Sequence, residues 1–498
     1  MRFTSLIVEL IRARPRLVVW VVLLVQGAIW LLLPTLLYGS PPGDVATVLA
    51  IGRNYAIGTL DGPPLAFWLA DIAFRAAGNH VFGVYLLVQL CVIAAFLALY
   101  QLGRPIVGGP HAVLAVLLTL TVTAFSISNI AFGPDVLALP IWSYLVLQVW
   151  RVIGEGRRNA WFGLALNAGL LVLTTSAAPV LLALVLVVVL ALPRGRRSFT
   201  SLDPLYALLV FAVIVLPYVL WLARNGGYDV PLPAFDRLDA KGFAALRLFG
   251  GLLAATTGVI VLTMMTMRRL VSIRENAPEI ARNGIDPLGR PFVLIFALVP
   301  ALGGCLIAGI YGWPQVVGGA SIALLLSGLA VVVSGDVIAL RQQKLLRKIW
   351  ALAVIAPAAF AVSVVLIAPW IGDAERDMTI PAKQIAAFFG DSYARRTGKT
   401  LPAVAGDPQL AALVAMGASR PQLLIDAEPA RTPWLTPQTL IEHGGIVLWR
   451  ATDTLGTPPA DIAQRFPGLV PEVPRGFDRL VNGRQPPLRI GWAILRGK

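Results

Sequence analysis

Eleven long apolar runs limit what this chain can fold into more than any other feature. They lie near 17 to 37, 81 to 102, 111 to 127, 134 to 151, 161 to 175, 178 to 193, 204 to 223, 245 to 266, 291 to 310, 315 to 333 and 349 to 369, with short polar connections between them. A helix crosses the ~30 Å hydrocarbon core of a bilayer with about 20 such residues, so the pattern predicts a polytopic α-helical membrane protein with about 11 transmembrane helices. Composition agrees: 57% hydrophobic residues, 13% charged and a mean hydropathy of +0.77 lie outside the range of an ordinary soluble enzyme. The net charge of +15 does not point to nucleic acid, because most of the basic residues sit in short loops between apolar runs and not on one soluble face. Cys91 and Cys305 both fall inside apolar runs, so no disulfide framework or paired-cysteine metal site is encoded.

Those basic residues instead set a topology. Twenty Arg and Lys fall in the connections on one side, from Arg2 to Lys348, and six in the short connections on the other. The basic side is the cytoplasmic one by the positive-inside rule, which places the N-terminus on the inside. An odd number of spans then carries residues 371–498 to the periplasmic or extracellular face. That segment has no further spanning run, and its short apolar runs "LPAVAG", "PQLLID" and "GIVLW" alternate with helical stretches such as "DPQLAALVAM". This is the rhythm of a small soluble α/β domain, following a membrane domain over 1–370. The first run follows a basic stretch without a small-residue cleavage site, and it reads as a retained span.

The polar residues that interrupt the outer connections are the chemical candidates. Residues 38–80 form the first outer loop, with Asp44 in "PPGDVATV" and Asp61 in "GTLDGPPLAFWL". Two stretches of that loop, "DVATVLAIGRNYAIG" and "PPLAFWLADIAFRAAG", carry apolar residues at helical spacing and read as amphipathic helices on the membrane surface. Asp135 opens the fourth span from the same side, and "YGWPQ" is a later outer turn.

Asp44, Arg53, "GTLDGPPLAFWL" and "HVFG", in this order, resemble the first outer loop of the family 39 glycosyltransferases, relatives of protein O-mannosyltransferases and of the aminoarabinose transferases that modify lipid A. "GPDVLALPIWSYLVLQVWR" at 133–151 is similar to the family's Pro-Asp-x-Pro-Leu helix entrance. "GLLVLTTSAAPVLL" resembles its Gly-Leu-x-x-Leu-(Ser/Thr)-Lys segment, and "GWPQ" its late Trp-Pro turn. The resemblance covers most of residues 38–320. It implies a GT-C fold and an inverting transfer of sugar from a polyprenyl-phosphate donor to a lipid, glycan or protein hydroxyl at the outer face. Three positions depart from the pattern: the usual Glu after the first Asp is Val45, the His or Lys before the Pro-Pro step is Gly62, and the later Lys is Thr175. Other basic residues then serve the donor phosphate, or the donor is held differently, or this branch is not catalytic.

Roles follow from what the reaction needs. A hydroxyl is a poor nucleophile, and a positioned carboxylate that takes its proton is worth about 10² to 10⁴ in rate. Asp44 is the candidate base and Asp135 a second carboxylate that orients the acceptor or a cation; helix capping is the alternative role for both. Arg53 is the first candidate for the leaving phosphate, with Arg224, Arg237, Lys241 and Arg247 behind it, and headgroup anchoring as the alternative. Asp61, Pro63 and Pro64 shape the loop, and Asp-Gly also favours a tight turn. Tyr311 and Trp313 stack on a sugar or prenyl chain, or belong to the interfacial aromatic belt. His80, His111 and His443 lack metal-ligand spacing, whereas a divalent metal shared by Asp44 and Asp135 stays open. Two other classes remain: a lipid or sugar transporter, which the scarcity of charges in the spans disfavours, and a non-catalytic relative.

Overall fold

The computed structural model describes residues 9–126, 131–225, 238–266, 279–281, 284–311, 318–335, 337–339, 343–372, 375–425, 429–481 and 483–497. Two compact units divide the chain. The first takes Met1–Trp30, Val88–Asn129 and Pro134–Ala358, and the second Leu31–Leu87, Ile130–Gly133 and Ala359–Lys498.

All eleven apolar runs contain helix, but they are not equally long. Pro15–Leu37, Phe82–Val107, Pro134–Ile153, Asp203–Arg224, Gly289–Ile310 and Lys344–Leu366 are each long and apolar enough to cross a membrane. Two further runs form bent pairs, Ala178–Ala191 with Pro193–Thr200 at 88° and Gly242–Ala255 with Thr257–Met265 at 52°. The first bend follows from Pro193, which lacks an N–H and holds Leu192 in an extended conformation. At the second, the Thr256 hydroxyl donates back to the Leu252 and Leu253 carbonyls, a bond that bends helices. Gly109–Thr119, Ala160–Val172 and Ile322–Ser334 are shorter. At 1.5 Å per residue such helices reach only about 16 to 20 Å, so among the described residues six to eight of the eleven runs are long enough to cross by length alone. Hydropathy alone does not separate a short apolar helix inside a bundle from a full span.

Pro134–Ile153 is the most buried of these helices. Its Trp142 and Trp150 pack edge-on against Phe296 and Phe292 of Gly289–Ile310, with ring centroids 5.8 Å and 5.1 Å apart. Such pairs contribute about 0.5 to 1.5 kcal/mol each beyond area burial. Residues Glu279–Ala281 and Val337–Ala339 pair as two short antiparallel strands that hydropathy did not signal.

The second unit joins the first outer loop to the C-terminal segment. Among its helices are α1 (Val45–Gly52), α2 (Leu65–Ala76), α3 (Ala382–Thr397) and α4 (Pro408–Ala415). Five strands, β1 (Ala403–Gly406), β2 (Gln422–Leu423), β3 (Gly445–Arg450), β4 (Glu472–Phe477) and β5 (Leu488–Leu495), form one sheet in the order β2-β1-β3-β5-β4. The first three are parallel and the last two antiparallel. Central strands covered on both faces should read as unbroken apolar runs, and "AVAG" and "GIVLW" do. Val404, Ile446 and Leu448 face one core with Ile385 and Phe389, while Ala403, Ala405, Val447 and Trp449 face another with Leu440 and Phe466.

α1 departs from the surface-helix expectation. Seven of its eight residues are buried, and Ala46 and Ala50 belong to the same core as α4. Inside the helix only Thr47 is polar, so nothing provides a wet face; the charges stand at its two ends, Asp44 and Arg53. A side chain at Gly52 would place its Cβ 2.2 Å from the Phe67 carbonyl oxygen, so glycine lets α1 cross α2 closely. α2 is amphipathic as read, burying Ala66, Phe67, Ala70, Asp71 and Phe74. A backbone bond from Gly39 N–H to Met378 O (2.9 Å) ties the loop to the C-terminal segment.

Candidate functional site

Asp44 occupies the N-cap position of α1, where a carboxylate ordinarily accepts from the first turn's N–H groups. Here it accepts none of them. It is exposed, and among the described residues its carboxylate has no hydrogen bond or ion pair. Asp407, at the N-cap of α4 in the same unit, shows the alternative by accepting from Gln409 and Leu410 N–H at 3.0 Å. Capping therefore does not occupy the Asp44 side chain.

The other end of α1 carries the opposite charge. Arg53 follows the helix, and beyond it the chain turns through Tyr55, whose φ of 48° lies in the left-handed region. Tyr55 Oη donates to Asp71 Oδ2 at 2.9 Å, and Arg75 Nε lies 2.7 Å from the same oxygen. Arg420, from the turn before β2, donates through Nη2 to Asp71 Oδ1. Its φ of 45° is also left-handed, so two of the groups that hold Asp71 stand on backbone that costs a bulky residue about 1 to 3 kcal/mol. Asp71 itself is fully buried. The Arg420 guanidinium lies 5.1 Å from the Phe74 ring centroid and that of Arg75 5.7 Å from Tyr55.

Three guanidiniums thus gather around one carboxylate. Burial lowers the pKa of Arg53 from its ordinary value, helped by the Arg420 and Arg75 charges and opposed by Asp71. Among the described residues, Arg53 Nη1 and Arg420 Nε are buried without a hydrogen-bond partner. Buried charged donors normally find acceptors, so the cluster has unused capacity for an anion.

Asp61 lies in a tight turn closed by the Gly62 N–H to Thr59 O bond of 3.2 Å, as Asp-Gly suggests. Arg431 from the C-terminal segment reaches it with Nε at 2.8 Å and Nη2 at 2.5 Å. Gly62 has a φ of +139°, a conformation that a lysine side chain rarely adopts, which gives a physical reason for the departure from the family pattern. Pro63 and Pro64 are buried, and Pro64 stands at the start of α2.

The remaining candidates belong to the first unit. Asp135 sits inside the first turn of Pro134–Ile153 and not at the N-cap as read, because Pro134 already begins the helix. Arg224 is exposed in the last turn of Asp203–Arg224, Lys241 falls within Leu238–Ala255, and Tyr311 follows Gly289–Ile310. Arg237 and Trp313 lie outside the described residues. Thr175 accepts the Ala177 N–H at 3.2 Å in a buried turn. A cavity of about 660 Å³ is lined by Arg247 with Phe243, Leu248, Leu252, Thr123 and Leu324. Among the described residues no three His, Cys, Asp or Glu side chains gather closely enough to hold a metal.

Asp71, Tyr55, Arg75, Arg420 and Arg431 were not among the sequence candidates. One signal pointed at Asp71: an acid on the apolar stripe of α2, between Phe67 and Phe74. Nothing local marked Arg420 or Arg431.

Residues 61–221 match the family model described as dolichyl-phosphate-mannose-protein mannosyltransferase. A search of curated protein sequences finds no match. Among solved structures, ArnT from Cupriavidus metallidurans bound to undecaprenyl phosphate is 14% identical, with 96% of this chain and 98% of that chain covered and a TM-score of 0.60. The arabinofuranosyltransferase AftD from Mycobacteria is 15% identical over 96% of this chain and 41% of that one, at 0.48. The oligosaccharyltransferase AglB from Archaeoglobus fulgidus is 11% identical over 83% and 64%, at 0.41. The resemblance read in the outer loops is borne out: this multi-pass membrane chain has the GT-C glycosyltransferase fold, and its residues 61–221 match the mannosyltransferase family model.

Proposed function

We propose that this protein transfers a sugar from a polyprenyl-phosphate carrier to an acceptor hydroxyl, at the outer face of a bacterial inner membrane whose cytoplasmic side holds the N-terminus. The observation that carries the reading is the uncapped, exposed carboxylate of Asp44 at one end of α1, with a guanidinium cluster that has spare donors at the other. The family match over 61–221 and the fold shared with an undecaprenyl-phosphate-bound structure support glycosyl transfer in general.

In this scheme Asp44 takes the proton of the acceptor hydroxyl as its oxygen attacks the anomeric carbon. The bond from that carbon to the phosphate oxygen breaks, and the electron pair leaves on the polyprenyl phosphate. One displacement inverts the anomeric centre. The negative charge that grows on the phosphate needs preorganised cations, and Arg53 supplies the nearest to Asp44 in sequence. Its Cα is about 13 Å from that of Asp44 along the helix axis, a span that the long arginine side chain shortens. Arg420 and Arg75, held by Asp71, add positive potential there and fill the task of the lysines missing at Gly62 and Thr175. Asp135 orients the acceptor, and Asp61, Pro63 and Pro64 hold the loop's shape. Arg224, Arg237 and Lys241 add cations along the outer connections, and Tyr311 and Trp313 provide stacking surface. The apolar cavity beside Arg247 suits a prenyl chain.

The test is transfer by purified wild type and Asp44→Asn, with a panel of polyprenyl-phosphate sugars and lipid extract as acceptor. Asn keeps the size and removes the base, and the expected loss is about 10² or more in rate. A wild type that binds a lipid-linked sugar but transfers it to no acceptor would instead establish the non-catalytic reading.

A further inference from the structure

At the basic end of the first unit, the start of Pro15–Leu37 meets the ends of Phe82–Val107 and Pro134–Ile153 around a cavity of about 570 Å³. Four arginines line it, Arg16, Arg104, Arg151 and Arg157, against a single acid, Glu155. Two of the four are engaged: Arg157 Nε lies 2.6 Å from Glu155 Oε2, and Arg151 Nη2 donates to Gln101 Oε1 at 3.2 Å. Among the described residues, the guanidiniums of Arg16 and Arg104 make no hydrogen bond or ion pair.

Four like charges around one cavity repel each other, and the partial negative charge of two helix C-termini offsets only part of that repulsion. A bound anion would remove it. The rest of the wall limits the kind of anion, because buried Tyr100 and half-exposed Trp20 line the same cavity as the arginines. A site with a cationic rim and an aromatic, apolar wall suits a molecule with a charged head and an apolar body. Basic pockets between membrane helices take lipid headgroups of this kind, and the volume falls within the ordinary range for a small-molecule site.

We infer that this cavity binds the phosphate of an anionic lipid headgroup, a phosphate mono- or diester, with Arg16 and Arg104 as its direct partners. The site owes nothing to the transfer reaction proposed above and stands or falls without it. A merely solvated basic face would attract any anionic surface diffusely, would lose that attraction in salt and would hold no lipid in fixed ratio.

The experiment uses the full chain in nanodiscs of phosphatidylcholine, with and without phosphatidylglycerol, followed by native mass spectrometry of the lipids that stay bound and by thermal unfolding. One phosphatidylglycerol per chain should be retained in preference to phosphatidylcholine. The double variant Arg16→Gln, Arg104→Gln breaks no hydrogen bond or ion pair among the described residues, so it should fold; its retention should fall about tenfold or more, as expected for losing charge-assisted bonds. Glu155→Gln removes the one acid and should strengthen retention. Inorganic phosphate added to detergent-solubilised protein forms a second arm. Stabilisation by the lipid alone supports the lipid source, whereas stabilisation by phosphate that displaces the lipid assigns the site to a soluble phosphate and overturns that source. Retention that survives the double variant, or that does not distinguish the two lipids, overturns the site.

Discussion

The two ends of α1 hold one acidic centre each and treat it in opposite ways. At the N-terminal end Asp44 is exposed and makes no hydrogen bond or ion pair among the described residues, although its position is one where capping is the usual use of an aspartate. Past the C-terminal end Asp71 is fully buried and bonded by Tyr55, Arg75 and Arg420. A carboxylate held by three cationic or hydroxyl donors has its oxygens occupied, and its work is to hold guanidiniums in place. One without partners is available for chemistry. The contrast separates an expected reactive group from an expected positioning group in the same unit.

The most severe way to break the contrast is to remove the gripped acid. Asp71→Ala leaves the largely buried Arg420 guanidinium without its partner, and the expected loss is about 3 to 5 kcal/mol of stability, read as a lowered unfolding midpoint in detergent. A variant as stable as wild type would show that the cluster is not a clasp. Arg420→Gln should cost less, about 1 to 3 kcal/mol, since Arg75 and Tyr55 still bond Asp71. If the Arg cluster serves the leaving phosphate, this variant should also lower kcat in the assay used for Asp44.

A smaller effect is expected at the Asp61 to Arg431 pair, which is only partly buried. A double-mutant cycle with Asp61→Asn and Arg431→Gln should give a coupling of roughly 0.2 to 1 kcal/mol. Asp44→Asn should change stability by less than about 0.5 kcal/mol, because no cap bond is lost. A larger drop would mean that Asp44 is held after all and would remove the contrast. The finest test uses acidity. Lys383 Nζ lies 3.1 Å from His80 Nε2, and burial together with the Lys383 charge holds His80 below its ordinary 6.5. The folded state therefore disfavours the protonated ring. Its contribution is intact above pH ~6.5 and declines as pH falls below it, when the unfolded chain takes up the proton first. His80→Asn should flatten that slope in pH-dependent unfolding curves.

Much of this architecture was legible in the residues. Runs such as 134 to 151 announced their helices, "GIVLW" announced a strand buried on both faces, and the loop motifs pointed to the GT-C fold. The reading misjudged α1 because amphipathic spacing was inferred over a stretch longer than the helix, so that Asp44 and Arg53, its two ends, were taken for a polar face. Apolar length in sequence also does not say how long each helix runs, and among the described residues Gly109–Thr119, Ala160–Val172 and Ile322–Ser334 are too short to cross by length alone.

From the sequence alone came the membrane, the basic side, the α/β character of the C-terminal segment and the candidacy of Asp44, since each rests on residue types and spacings within one turn, strand or span. Only the tertiary structure decided that α1 is a core helix, that Asp44 is uncapped, and that Asp71 and Asp61 are met by arginines 349 and 370 residues away. The reason is physical: periodicity records which neighbours a residue has along its own element, whereas the pairing of buried charges is set by which distant segments pack together, and one carboxylate in water resembles any other until a particular guanidinium replaces its hydration shell.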